Sequence, residues 1–286
     1  MVRLTILGSG SSGNCAVIST EHTTLLLDAG LSAKQICLRL DVCGFSLDML
    51  DGILLTHEHQ DHTGGLEVLS RKRPVPLICT ALTQETLAGS LGFKKPPPWR
   101  IMTTGSTFEF QDLCIESFPV PHDAVDPVGY VISDEDSRLG ILSDVGFVTN
   151  LIKDRLKNSD SLFIEANYDT QLLENDTKRP WSTKQRISSR HGHLSNEQAA
   201  ELVREVAHPE LSHVVLGHLS DDCNDPVIAA RHIRQALDAA GATETRVTCA
   251  ERRQPTPTIE VVRKRRVANV SFCFAQADDS GQLALL

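Results

Sequence analysis

The sequence predicts an α/β protein, and three observations carry that prediction. Short apolar runs of strand length alternate with helix-length segments in both halves of the chain. Several of those runs stop at a histidine or aspartate beside glycine or proline, the pattern of strands that deliver polar groups to a shared edge. No run of ~18 apolar residues occurs, so no membrane span is expected.

In chain order, Arg3 to Gly8 is a strand and Gly8 to Asn14 a glycine/serine turn. Cys15–Thr20 and Thr24–Asp28 form a hairpin around Glu21 and His22, a turn residue. Ser32 caps a helix from Ala33 to about Cys43. Gly52 to Thr56 is a buried strand, and beyond Gly64 and Gly65 a helix runs from Leu66 to Arg73, stopped by Pro74. Leu77–Thr80 is a strand, Gln84–Leu91 a helix and Lys94–Arg100 a stiff basic connector with three prolines. Strands follow near Ile101, at Thr107–Phe110, Leu113–Phe118, Gly129–Ser133 and Leu139–Ser143. Helices at Val148–Lys157, Asn196–Val206 and Pro226–Ala240 are separated by strands at Leu162–Glu165 and His213–Leu216. No internal repeat is present. Residues 1–262 are expected to form a single domain, and residues 263–286 the basic run Arg263 to Arg266 and a loosely held tail.

Residues 56–65, Thr-His-Glu-His-Gln-Asp-His-Thr-Gly-Gly, concentrate ligand chemistry. His57, His59, Asp61 and His62 fall within six residues, after a strand and before a double glycine. A lone histidine is usually an ordinary polar residue; four imidazole and carboxylate groups at this density form a metal cage. No Cys-x-x-Cys pair exists, which argues against a zinc finger. The eight cysteines are scattered, mostly among apolar neighbours, and are expected to be buried free thiols. The N-terminus moves straight into a strand without the apolar segment of a signal peptide, so a cytoplasmic location is expected.

The spacing His-x-His-x-Asp-His resembles the signature of the metallo-β-lactamase superfamily of hydrolases and nucleases. The resemblance implies a four-layer αββα sandwich and a later histidine, aspartate and histidine at strand ends. His122 follows the strand ending near Phe118, Asp144 follows Leu139–Ser143, and His218 follows His213–Gly217. By resemblance, His57, His59 and His122 hold one divalent ion, Asp61, His62 and His218 a second, and Asp144 bridges them. An all-nitrogen and oxygen set takes zinc or manganese alike. Such a pair suits attack on a phosphodiester or acyl bond by an activated water, with Asp61 also orienting the nucleophile. His213 is expected to face solvent, His191 to be structural, and His208 and His232 to sit on helix surfaces.

Three further segments are similar to the YycJ-like branch, bacterial exonucleases thought to digest DNA from a 5′ end: Leu7 to Cys15, Ile164 to Asp169, and Arg190 to Asn196 with Gly217 to Asn224. The resemblance spans about residues 2–262; Tyr168 stands where relatives often carry histidine. His193 precedes Ser195, a predicted helix N-cap with Gln198 completing a capping box. It is expected either to contact the scissile phosphate as a catalytic group or to hold a ligand in place. Asn167 either donates to substrate or closes a turn. The Gly8–Asn14 loop either offers N–H groups to phosphate or is a tight turn.

Net charge is −9, which at first sight opposes nucleic-acid binding. Two divalent ions would offset part of it, and residues 176–190 carry five basic residues against one acid. Aromatics are only 5% of the chain, so extensive base stacking is not expected. A metal-dependent phosphodiesterase, a 5′-to-3′ DNA exonuclease with a place in DNA repair, leads the readings. A small-molecule hydrolase of a thioester, lactone or cyclic nucleotide and a catalytically silent nucleic-acid-binding protein are the alternatives.

Overall fold

Short apolar segments, most of them buried along their length, can satisfy their backbone groups only by pairing laterally. In the computed structural model, which describes residues 1–263, they do so in two seven-stranded sheets. The first runs through β1 (Arg3–Gly8), β2 (Cys15–Ser19), β3 (Thr24–Leu27), β4 (Gly52–Leu54), β5 (Leu77–Thr80) and β6 (Trp99–Met102) in sequence order. The second holds β7 (Thr107–Phe110), β8 (Leu113–Pro119), β9 (Val128–Ser133), β10 (Arg138–Leu142), β11 (Ser161–Glu165), β12 (His213–Gly217) and β13 (Arg246–Cys249), again in sequence order. A last strand, β14 (Ile259–Glu260), returns to flank β1. Each sheet begins with antiparallel hairpins and ends in parallel crossovers: β3 to β6 in one and β10 to β13 in the other.

Helices occupy the crossovers. They are α1 (Ala33–Val42), α2 (Gln60–Thr63), α3 (Leu66–Lys72), α4 (Ala81–Ser90), α5 (Asn150–Leu156), α6 (Thr170–Asn175), α7 (Trp181–Ile187), α8 (Asn196–Val206) and α9 (Pro226–Ala239). Three apolar clusters define the layers. Ile36, Leu40, Leu66, Leu69 and Leu87 pack helices onto the outer face of the first sheet. Leu156, Leu202, Val203, Ile233 and Leu237 do so for the second. Between the sheets lie Leu4, Ile6, Leu27, Leu54, Ile115, Tyr130, Ile141 and Val215. This is the expected αββα sandwich. Polar bonds also cross between the sheets: the Tyr130 hydroxyl on β9 donates to the Leu55 carbonyl, 2.5 Å away at the end of β4.

Helix starts follow side-chain caps. Ser32 accepts from Gln35 N, Thr149 from Ile152 N, and Ser195 forms a full capping box with Gln198. Several boundaries differ from the sequence reading. The helix expected from Gln84 begins at Ala81, because Thr80 caps it, and the one expected from Val148 begins after the Thr149 cap. Trp99 and Arg100 belong not to a connector but to β6, paired with Leu77 and Ile78. α6, α7, β13 and β14 were not foreseen; α7 buries no residue and β13 is a partly exposed edge, so neither carries a clean apolar period. His208 lies just beyond α8, donating to the Ser159 carbonyl at 3.0 Å. Lys264 to Arg266 and the tail to residue 286 lie outside the described residues.

His213 does not face solvent. It is half-buried on β12 with Nε2 2.7 Å from Thr248 Oγ1, and burial, helped by Arg246, pulls the imidazole down to about 4. A depressed folded-state value favours the neutral ring. Its stabilising contribution is therefore complete above the ordinary value of about 6.5 and disappears as pH falls from there to about 4. Allowing for partial exposure, the contribution is on the order of 1–2 kcal/mol. Urea midpoints at pH 7 and 4.5 should converge by that amount in His213→Gln relative to the parent; an identical pH dependence in both proteins rejects the assignment.

Candidate metal centre

The ligand-type residues sit where β-strands run out. β4 leads into Thr56 and His57, and the chain then turns into the single-turn helix α2, which carries Asp61 and His62. His122 follows β8, Asp144 follows β10, and His218 follows β12. Parallel pairing of β10, β11 and β12 sets Asp144, Glu165 and His218 side by side. Asp144 and His218 adopt left-handed backbone conformations, with φ of 53° and 52°. Non-glycine residues avoid this region at a cost of about 1–3 kcal/mol, a kind of strain that clusters at functional sites.

Two sets of donor atoms converge within 4.8 Å: His57, His59 and His122 in one, and Asp61, His62, Asp144 and His218 in the other. A third set, Asp144, Glu165, His193 and His218, overlaps the second. All seven sequence-predicted ligands are thus brought together, and Asp144 falls with the second set rather than the first. His57, His62, His122, Asp144 and His218 are buried; His59 and Asp61 are partly exposed, which leaves one open side.

Hydrogen bonds hold several rings with one nitrogen turned inward. His62 Nδ1 donates to Asp28 Oδ2 at 2.8 Å, and His122 Nδ1 to the Gly192 carbonyl at 3.0 Å. In both, Nε2 is left as the ligand atom, the arrangement that outer partners impose on metal-binding histidines. His57 Nδ1 lies 3.0 Å from Thr56 Oγ1, while its Nε2 is buried with no partner. A buried imidazole nitrogen without a partner is costly, and a divalent cation is the group that this donor set fits. His218 Nδ1 is 2.9 Å from Asp144 Oδ1 without the alignment of a hydrogen bond.

The electrostatics agree. Burial opposes charge on Asp144, yet His218 and then His62 hold its carboxyl well below the usual range. Burial likewise pulls His62 down, but Asp144 and Asp28 outweigh it and hold the ring protonated. His57 is pushed well below its ordinary value by burial and then by His62. Metal binding at such groups is coupled to the loss of their protons.

Sequence reasoning missed three supports. Asp28, itself at φ 57°, accepts from Thr56 N at 2.8 Å as well as from His62. Asn14 places its amide 3.1 Å from His62 Nε2 and accepts from Ser9 Oγ, which in turn accepts from His218 N. Glu165, fully buried, holds His193 Nδ1 at 2.6 Å and accepts from Val145 N at 3.0 Å. The signal for Glu165 was available: like Asp144, it is a carboxylate ending an apolar strand.

Other expectations resolve by geometry. In the Gly8–Asn14 turn the N–H groups of Ser9, Gly10, Gly13 and Asn14 are bonded within the protein, to Glu251, Asn14, Gly10 and Asp61 respectively, and are not free to meet a phosphate. Asn167, expected among catalytic groups, is buried and donates one amide N–H to the His218 carbonyl at 2.9 Å. His193 lies at the partly exposed edge, with ring centroids 5.4 Å from His122 and 5.1 Å from His218. Burial lowers its basicity, but Glu165, then Asp144 and Asp61, raise it to about 9. The basic segment is largely compensated. Lys178 pairs with Asp222 at 2.6 Å, Arg179 with Asp176 at 3.0 Å, and Arg186 with Asp123 at 2.6 Å, while Lys184 donates to the Glu174 carbonyl.

The chain is similar to known proteins over most of its length. The model of the Beta-lactamase superfamily domain matches residues 23–219. Exodeoxyribonuclease YycJ of Bacillus anthracis is 34% identical over 240 residues, covering 84% of this chain and 90% of its own. Exodeoxyribonuclease WalJ of Streptococcus pneumoniae is 39% identical over 224 residues, covering 78% and 83%. Zn2+-bound PqqB from Methylobacterium extorquens shares the fold, with a TM-score of 0.69 at 19% identity over 90% of this chain and 99% of that one. The chain belongs to the β-lactamase superfamily, in the YycJ-like branch of its metal-dependent hydrolases.

Proposed function

We propose that this hydrolase is a DNA exonuclease that removes nucleotides from the 5′ end, using two divalent ions, zinc or manganese, and serving DNA repair in the cytoplasm. The observation that carries the reading is a converged His/Asp cluster with a cationic histidine, His193, at its open edge. The exodeoxyribonuclease names of two relatives matched over more than three quarters of the chain support DNA as substrate.

His57, His59 and His122 would hold one ion, Asp61, His62 and His218 the other, with Asp144 between them. When bound, the ions supply Lewis acidity that makes water a nucleophile near neutral pH and offsets charge on phosphate oxygens. Asp61, partly exposed, orients the attacking water. Glu165 holds His193 through Nδ1, which leaves the proton on the opposite ring nitrogen as the one given to the departing oxygen. Asn167, Asp28 and Asn14 position ligand-bearing residues through His218 and His62.

The test is cleavage of end-labelled duplex DNA with Mn2+ or Zn2+. Stepwise loss from the 5′ end is expected, abolished in Asp61→Ala and slowed roughly a hundredfold in kcat in His193→Ala. A protein that holds both ions and cleaves neither DNA nor RNA overturns the nuclease reading and hands the site to a small-molecule substrate.

A further inference from the structure

Four of the five cations of residues 178–190 already have acceptors in this structure; Arg190 does not. Among the described residues no carboxylate or carbonyl is paired with it. Instead its guanidinium carbon lies 4.2 Å from the centroid of the Phe147 ring. Both partners face solvent, Phe147 at 38% exposure. An exposed phenyl ring has an energetic cost, and a ring that braces an arginine explains it.

The place of this pair is set by two ligand-bearing turns. Phe147 stands three residues after Asp144, and Arg190 three residues before His193. The turns are in direct contact, since a Cβ on Gly146 would come within 2.5 Å of the Arg190 carbonyl carbon and of Gly192 N. Asp123 N, beside His122, donates to the His191 carbonyl at 3.0 Å. Three residues span at most about 10 Å, and a DNA strand advances about 3.4 Å per nucleotide. The guanidinium therefore lies within a few nucleotides of any scissile bond at the centre.

We infer that Arg190, held flat on Phe147, binds a phosphate of the DNA strand next to the one being cleaved, an inference that rests on the nuclease reading. Its planar fork matches a phosphate with two parallel N–H donors. The stack removes rotamer freedom before substrate arrives, so less is lost on binding. In a chain of net charge −9, one uncompensated cation at the rim also steers the polyanion to the open side.

The experiment measures steady-state cleavage and fluorescence-anisotropy binding of a labelled duplex over a salt series with the metal-loaded protein. Arg190→Ala is expected to raise KM roughly tenfold, with kcat within about twofold, and to reduce the slope of log affinity against log salt by about 1. Arg190→Lys should keep the slope and recover part of the affinity, which a merely structural stack would not predict. Phe147→Leu, which keeps apolar cover but removes the ring face, should raise KM by less than Arg190→Ala. Lys178→Ala, whose charge Asp222 already neutralises, should leave KM and slope unchanged. Unchanged KM and slope in Arg190→Ala, beside a parent that cleaves DNA, overturn this inference alone. A parent that neither binds nor cleaves DNA overturns the nuclease reading and this inference together.

Discussion

Asp144→Ala should lose cleavage by a factor on the order of a thousand or more and lose bound metal with it. Three facts combine at this residue. It is buried, its two oxygens face His62 Nε2 at 3.0 Å and His218 Nδ1 at 2.9 Å, and its backbone is left-handed at φ 53°. Removing the carboxylate takes away the charge that holds both histidines in place and leaves the strained backbone with nothing in return. The backbone part can be separated from the charge part. Asp144→Gly should be equally inactive yet more stable than Asp144→Ala by about 1 kcal/mol, because glycine adopts positive φ freely. Metal content by mass spectrometry and urea midpoints of both variants decide the matter. Full metal occupancy in Asp144→Ala would remove it from the ligand set, and equal midpoints would deny the strain.

Gly30→Ala should disable the centre without touching a ligand. A Cβ there would lie 1.7 Å from the Asp61 carbonyl oxygen, 2.3 Å from its carbon and 2.8 Å from Asn14 N. All three are backbone atoms, and none can swing aside. They are also tied to one another: Asn14 N donates to the Asp61 carbonyl at 2.7 Å, Gly30 N to the Asn14 carbonyl at 2.9 Å, and Ala29 N to the His62 carbonyl at 2.7 Å. Room for a methyl group therefore requires the 59–62 turn to move as a unit, taking Asp61 and His62 with it. The expected cost is about 3–5 kcal/mol, with metal affinity lost in any molecules that still fold. Gly44→Ala is the comparison: its φ of 80° is also unfavourable, but open space surrounds it, so about 1 kcal/mol is expected with activity intact. Thermal unfolding and cleavage rates measured on both distinguish them. Normal activity in Gly30→Ala would mean that the turn repacks more easily than its bonds imply.

The sequence revealed most where the chemistry is local. His57 to His62 lie within six residues, so their spacing alone exposed a metal cage. His122, Asp144 and His218 each had only an apolar strand before them, and joining them needed the family resemblance. Asp28 and Asn14 escaped because a supporting role depends on what sits across the fold, which no spacing records; Glu165 was legible as a carboxylate ending an apolar strand, but its partner His193 was not. The basic segment misled for the same reason: Asp123 and Asp222, distant in sequence, return to neutralise Arg186, Lys178 and part of Arg179. Strands with buried runs were legible, whereas α7 and β13 were not, because an element that buries little leaves no period to read.

The Tyr130–Leu55 bond has a consequence for how damage to this protein would first be seen. Leu55 is two residues from His57 in the first sheet, while His122, Asp144 and His218 all hang from the second. The two donor sets that hold the seven expected ligands each need contributions from both sheets, so the centre acts as a gauge of their alignment. A slip of an ångström between the sheets would leave each core apolar and nearly as stable as before, yet it would pull the two halves of each cage out of register. Loosening substitutions in the Leu4, Ile115 and Ile141 layer would therefore show up as weakened metal affinity well before the chain unfolds.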